Sequence, residues 1–254
     1  MAIPVIKIID RDDNEYSFPP DFFIIDDSYQ TSINVSNKSF AAGGRQIADG
    51  FLTPRVIVLE GELRKESKAA METARRAMEK AILSAVKLEI SDDSVDRYIG
   101  ITAPQVVTGW SAYPYEKTYS ISFTAEDPFY RDASVQTDAE TVAGDDTLTV
   151  DNSGSDFLVF PVITIENDQS VDNPGIKMIN RTDGSMTFSY IDANFLSGDV
   201  LTIDCEQGTV KKNNTNAIAN FNPGRFFRLQ PASNSIEYVG AACTITFTFR
   251  RGYL

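Results

Sequence analysis

Five pairs of adjacent carboxylates are the groups best able to do chemistry: Asp12-Asp13, Asp26-Asp27, Asp92-Asp93, Glu126-Asp127 and Asp145-Asp146. Two carboxyls flanking a cleft, one protonated and one ionised, would suit cleavage of a glycosidic bond. Adjacency works against that use. Successive strand residues point to opposite faces, and an Asp-Asp dipeptide in a loop is ordinarily a solvated turn former. Asp145-Asp146, next to Gly144, is the most turn-like of the five. The run Asp92-Asp93-Ser94-Val95-Asp96 offers oxygen ligands for calcium but lacks the glycine and the terminal glutamate of an EF-hand loop. Gly43-Gly44-Arg45 and Asn222-Pro223-Gly224-Arg225 fall short of a phosphate-binding fingerprint, which needs a strand, a glycine pattern and a following helix. They read as turns.

The chain contains no histidine in 254 residues. That removes the Ser-His-Asp and Cys-His nucleophile systems, histidine-ligated metals and the usual general base near neutral pH. Cys205 is in phase with Leu201 and Ile203, and Cys243 with Ile245 and Phe247, so both thiols are expected to pack inertly in a core. Two cysteines are too few for a disulfide framework, which fits assembly in a reducing compartment. No catalytic residue, metal ligand or cofactor site is assigned, and the chain is expected not to be an enzyme.

The formal charge is −13, from 23 basic and 36 acidic residues, and both halves are acidic. Such a surface field repels nucleic acid and anionic lipid. No stretch approaches ~20 uninterrupted apolar residues, and the start, Met1 to Lys7, lacks a basic region leading into an apolar run. A soluble protein without secretory signal or membrane insertion is expected.

The elements that must position these residues are mostly strands, because apolar residues recur at every second position in short runs bounded by Gly, Pro, Asn or Asp. Before residue 130 the runs are Val5 to Ile9, Phe22 to Ile25, Ile33 to Ser36, Val56 to Leu63, Val86 to Ile90, Tyr98 to Ile101 and Tyr119 to Ala125. One helix interrupts them over about 67–85. Met71, Ala74, Met78, Ala81, Ile82 and Ala85 form its apolar face, opposite a solvated face carrying Lys68, Glu72, Arg75, Arg76, Glu79 and Lys80. Glu72 and Arg76 form a favourable i,i+4 pair, whereas Arg76 and Lys80 repel.

From Asp132 to Ser155 the composition turns to Asp, Ser, Thr and Gly, which places a domain boundary there and gives domains 1–131 and 132–254. Beyond it lie strand runs at Leu148 to Val150, Pro161 to Glu166, Ile176 to Ile179, Met186 to Ile191, Val200 to Glu206, Gly208 to Lys211, Phe226 to Leu229, Ser235 to Val239 and Ala242 to Arg250. That spacing predicts a β-sandwich without a helix. The overall fold class is therefore mainly β. An aromatic platform for sugars could come from Tyr113, Tyr115, Phe226, Phe227 or Tyr238, although buried packing is the commoner fate of sandwich aromatics. The lone Trp110 is equally ambiguous.

The order of features resembles the distal tail proteins (Dit) of siphophages. In the first half the resemblance rests on Gly43-Gly44, on Pro54-Arg55-Val56-Ile57-Val58-Leu59-Glu60-Gly61 before the helix, and on a strand ending in Asp127-Pro128-Phe129-Tyr130. In the second half it rests on Pro161 to Ile165, Gly198 to Asp204, Gly208-Thr209-Val210, Phe226-Phe227-Arg228-Leu229 and the terminal Arg251-Gly252-Tyr253-Leu254. One departure is Pro231-Ala232-Ser233-Asn234, which lacks the glycine that the family often has in that turn.

The resemblance implies a ring-forming N-terminal tail-hub domain with one helix and a C-terminal galectin-like β-sandwich. It further implies a baseplate hub in which a homohexamer joins the tail tube to the tail tip and leaves a channel for genome passage. The implied partners are other copies of the chain, the major tail tube protein, the tape-measure protein and the tail-associated tip protein. DNA would pass without specific binding. The implied location is the distal end of the virion tail, after assembly in the bacterial host cytoplasm. The alternative reading is a saccharide-binding host-adhesion module using the C-terminal sandwich.

Overall fold

A computed structural model describes residues 4–28, 31–32, 45–47, 50–91, 96–109, 115–167, 175–184, 186–222 and 224–254. The predicted strand at Ile33 to Ser36, the Gly43-Gly44 and Asp92-Asp93 pairs, and Trp110, Tyr113 and Pro223 lie outside the described residues. The chain is mainly β and divides into two compact units, 1–133 and 134–254.

The first unit contains β1 (Val5–Asp10), β2 (Glu15–Ser17), β3 (Phe23–Ser28), the short β4 (Thr31–Ser32), β5 (Arg45–Ile47) and β6 (Gly50–Leu52), and β7 (Arg55–Arg64). Helix α1 (Lys68–Ser84) follows, then β8 (Ala85–Ser91), β9 (Asp96–Gly100), β10 (Thr102–Thr108), β11 (Glu116–Ala125) and β12 (Tyr130–Asp132). One sheet runs β2-β1-β8-β9-β12, a second β10-β11-β7-β3, and a small third β4-β6-β5. Alternation sets the inner faces: Ile57, Leu59 and Leu63 on β7 and Tyr119, Ile121 and Phe123 on β11 are buried, as are Ile6 and Ile8 on β1. Burying each such side chain contributes roughly 1.5–3 kcal/mol.

Helix α1 begins where Ser67, in extended conformation, accepts a hydrogen bond from the Ala70 amide at 3.2 Å. Met71, Met78 and Ile82 bury its apolar face against β1 and β7. Ala85 does not belong to the helix as its periodicity predicts. Its backbone turns extended and opens β8 directly, with no glycine cap between the elements. On the polar face the organising cation is Arg75 rather than Arg76 alone: its guanidinium reaches Glu72 at 2.7 Å and Glu79 at 2.9 Å, while Arg76 meets Glu72 at 3.0 Å. These bonds hold the Glu72 carboxyl down to about 2.

The second unit contains β13 (Gln136–Val142), β14 (Asp146–Asp151), β15 (Val162–Glu166), β16 (Gly175–Asn180), β17 (Met186–Ile191), β18 (Val200–Asp204), β19 (Thr209–Lys212), β20 (Thr215–Asn216), β21 (Phe221–Asn222), β22 (Ser233–Val239) and β23 (Cys243–Phe249). Two antiparallel sheets, β13-β23-β15-β18-β19-β20 and β14-β22-β16-β17-β21, enclose one core. On β23, Cys243, Ile245, Phe247 and Phe249 are buried and alternate with the threonines of its other face.

Three local expectations are corrected. The polar stretch after Asp132, read as a domain boundary with no strand before Leu148, contains one, because Gln136–Val142 pairs along its whole length with β23. Residues 226–229 do not form a strand. Phe227 and Leu229 alternate into the core, but the only ladder contact there is an isolated Val159–Leu229 bridge. In the second half, Ile218–Asn220 forms a single 3-10 turn where no helix is expected.

Candidate functional site

The motif residues of the first unit meet in three dimensions. Arg55 opens β7, Tyr130 opens β12, and Asp27 lies on β3 opposite Ile57. A bulge between Ile24 and Asp26 resets the register of β3, so Asp27 shares the inner face with Arg55. The Arg55 guanidinium, with its side chain 2% exposed, donates to Asp27 Oδ1 at 3.0 Å. The Tyr130 hydroxyl donates to Asp27 Oδ2 at 3.1 Å, and the guanidinium sits 5.0 Å from the Tyr130 ring centroid. Burial first, then the neighbouring Asp27 charge, pushes the Tyr130 phenol well up, so it remains a donor. A buried cation held by a carboxylate, a phenol and a ring face is a clasp between strands distant in sequence, and it leaves no group poised for proton transfer. The sequence expectation of a strand ending in Asp-Pro-Phe-Tyr is corrected accordingly: β11 ends at Ala125, and Tyr130 begins the next strand.

Among the described residues the opposite face of the β10-β11-β7-β3 sheet is open. Register lines Val107, Ser120, Glu60 and Phe23 in one row across it, and Gln105, Ser122, Val58 and Asp26 in the next. Phe23 and Val107 are 54% and 64% exposed. A 780 Å³ groove runs past them, lined by Asp21, Glu60, Glu62, Gly61, Thr118 and Tyr119 among others. Partial burial, then Glu116 and Asp21, raises the Glu62 carboxyl, with Arg64 opposing. Among the described residues carboxylates outnumber cations on this face, where Arg64 is tied to Glu62 and Glu116. Beneath it, the Phe22 ring lies so close to Gly61 that a Cβ there would come 2.3 Å from Cγ of the ring.

Among the described residues several of the paired carboxylates serve as turn and clasp elements. In the β1–β2 turn, Asp12 donates its amide to Asp10 while Asp13 adopts a left-handed φ of 59°. Asp127 bonds Arg131 at 3.2 Å, Asp145 accepts from the Gly240 amide, and Asp146 accepts from the Thr147 amide. Cys205 and Cys243 are free and buried, and burial pushes the Cys205 thiol up to about 12. Of the aromatics considered as a platform, Phe227 and Tyr238 lie wholly in the core, Phe226 stacks on Phe221 at 4.8 Å, and Tyr115 is exposed on the first unit.

Residues 154–253 match the family described as siphovirus-type tail component, C-terminal domain. This part of the chain is similar to siphovirus tail components. The resemblance to the distal tail proteins drawn from the sequence is borne out. The fold of the whole chain is similar to that of phage SPP1 Dit, described as a paradigm of the hub adsorption apparatus in phages infecting Gram-positive hosts. The TM-score is 0.65 at 13% identity, covering 98% of this chain and 100% of that one. Two activated-conformation baseplate structures of phage P2, with Ca and with Sr, align at a TM-score of 0.49 and 11% identity over 98% of each chain. No curated protein matches the chain by sequence.

Within the matched residues 154–253, the Pro231-Ala232-Ser233-Asn234 turn, which has no glycine, is held by Asn234. Its fully buried amide donates to Gln230 O at 3.0 Å and Ala232 O at 2.8 Å, and its Oδ1 accepts from the Gln230 amide at 2.9 Å. Neither Ala232 nor Ser233 adopts a positive φ, so the turn does not require glycine.

Proposed function

We propose that the chain is a structural subunit of a siphophage tail hub, in which six copies close a ring that joins the tail tube to the tail tip. The observation that carries this reading is the open β10-β11-β7-β3 sheet of the first unit. Among the described residues β3 and β10 each have a partner on one side only, and their outer edges are free to meet a neighbouring copy. Repetition of a head-to-tail contact around a closed ring removes those edges without leaving any unpaired.

The open face of the same sheet then becomes the channel wall. It presents Ser120, Ser122 and Thr118, which are small and polar, beside Asp26, Glu60, Glu62 and Glu116. Carboxylates within a Debye length of ~8 Å repel DNA phosphates, so the genome slides rather than binds. The second unit is a galectin-like sandwich in this reading. The tube protein, the tape-measure protein and the tip protein are the partners, the site is the distal end of the tail, and assembly takes place in the host cytoplasm. No catalytic turnover is part of this role.

Negative-stain imaging of the purified chain, alone and with its cognate tube protein, tests the proposal. A sixfold annulus is expected in at least one preparation. Monomers in both, or intact particles that contain none of this chain by mass spectrometry, would overturn it.

A further inference from the structure

The second unit carries a polar cup that the hub role does not use. Its volume is 360 Å³, at the small end of the roughly 300–1,000 Å³ range of ligand sites. It lies between the end of β17, the β19–β20 hairpin and the 3-10 turn, and Tyr190, Asp192, Lys212, Thr215, Asn216 and Asn220 supply its polar groups. Several of these are fixed in advance. Lys212 Nζ donates to Asp192 Oδ2 at 2.7 Å and to Asn194 O at 3.0 Å, and the Tyr190 hydroxyl donates to Asp192 Oδ2 at 3.1 Å. The hairpin turns on two left-handed asparagines, Asn213 and Asn214, with φ of 48° and 64°. Asn213 is anchored in turn to Asp199 at 2.7 Å and to the Val200 amide at 2.9 Å.

Hydrogen-bonding capacity is left over. Lys212 has three N–H donors and uses two. Asn216 spends its Oδ1 on the Ile218 amide, while its Nδ2 and the Thr215 hydroxyl make no hydrogen bond among the described residues. Lys212 is paired with Asp192, and Asp199 lies 3.8 Å from the ammonium, so among the described residues the cup offers no unpaired cation to a bound anion. Ala217 and Ala219 supply apolar surface beside these groups. Closely spaced donors and acceptors with no net cation, next to small apolar methyls, match the hydroxyls and C–H faces of a neutral sugar. We infer that this cup binds a neutral mono- or disaccharide, independently of ring assembly.

Saturation-transfer NMR on the full chain with the methyl glycosides of glucose, galactose and N-acetylglucosamine, and with glucuronate as the anionic comparison, tests this. At least one should bind saturably with a Kd of about 1–10 mM, as a shallow site allows. Thr215→Val alters an exposed residue and should weaken binding about tenfold while leaving the melting temperature unchanged, whereas Asn216→Ala, which also removes the bond to the Ile218 amide, should weaken binding about tenfold with a lowered melting temperature. The inference is overturned if none of the glycosides saturates, if both variants bind as the unaltered chain does, or if only glucuronate binds.

Discussion

Tyr130 and Asp27, 103 residues apart in sequence, share a hydrogen bond of 3.1 Å, and the same carboxylate holds the buried Arg55. The two bonds differ in what their loss leaves behind. Tyr130→Phe removes one donor and is expected to cost about 1 kcal/mol. Asp27→Ala removes the carboxylate that pairs with a buried guanidinium and should cost about 2–3 kcal/mol, below the range for a fully buried pair because Asp27 is partly solvated. Urea denaturation of the three proteins checks the order, and equal losses would contradict it.

Gly61 and Phe22 form a second tight relationship. Gly61→Ala drives a methyl into the ring and should destabilise the first unit by about 1–3 kcal/mol. If the clash is the cause, Phe22→Ala combined with Gly61→Ala will cost clearly less than the sum of the single changes. An additive double-mutant cycle would remove the explanation.

Asn234→Ala deletes the buried amide that closes the 230–234 turn and should cost about 3 kcal/mol, since several backbone groups lose their partner at once. Restoring glycine at the same turn gains nothing. Ala232→Gly adds freedom to the unfolded chain without relieving strain and should lower stability by up to about 1 kcal/mol. Thermal melts of both variants read these effects, and a stabilised Ala232→Gly protein would show that the turn is strained.

The helix surface predicts an acid response. Glu72 sits at about 2 in the folded chain against an ordinary 4.5, held down by its bonds to Arg75 and then Arg76. A carboxyl with a depressed folded value stabilises above its unfolded value and loses that contribution as pH falls through the folded one. The melting-temperature difference between the unaltered chain and Glu72→Gln should therefore be present at neutral pH and shrink between pH 4.5 and about 2. Because the pair is exposed, added salt should narrow it as well. A difference that grows on acidification would be the wrong sign.

The amino-acid sequence by itself determined the features that are local in origin. Period-two alternation marks strands such as Val200–Asp204 and Cys243–Phe249 because one face of each is buried, and the three- and four-residue spacing of Met71, Met78 and Ile82 marks α1 for the same reason. The motif pieces around Arg55 and Tyr130 are visible in the chain, but their meaning is not. Only the tertiary structure decided that they meet at Asp27, because that contact depends on a bulge in β3 and on the order of strands. It also decided that Gln136–Val142 is a strand. As an edge of its sheet, that segment faces water along much of its length and can carry Asp138 and Glu140 without breaking the ladder, so no apolar alternation betrays it. The open acidic face and the cup around Lys212 arise in the same way, from residues that alternation leaves outside the core and that register alone brings side by side.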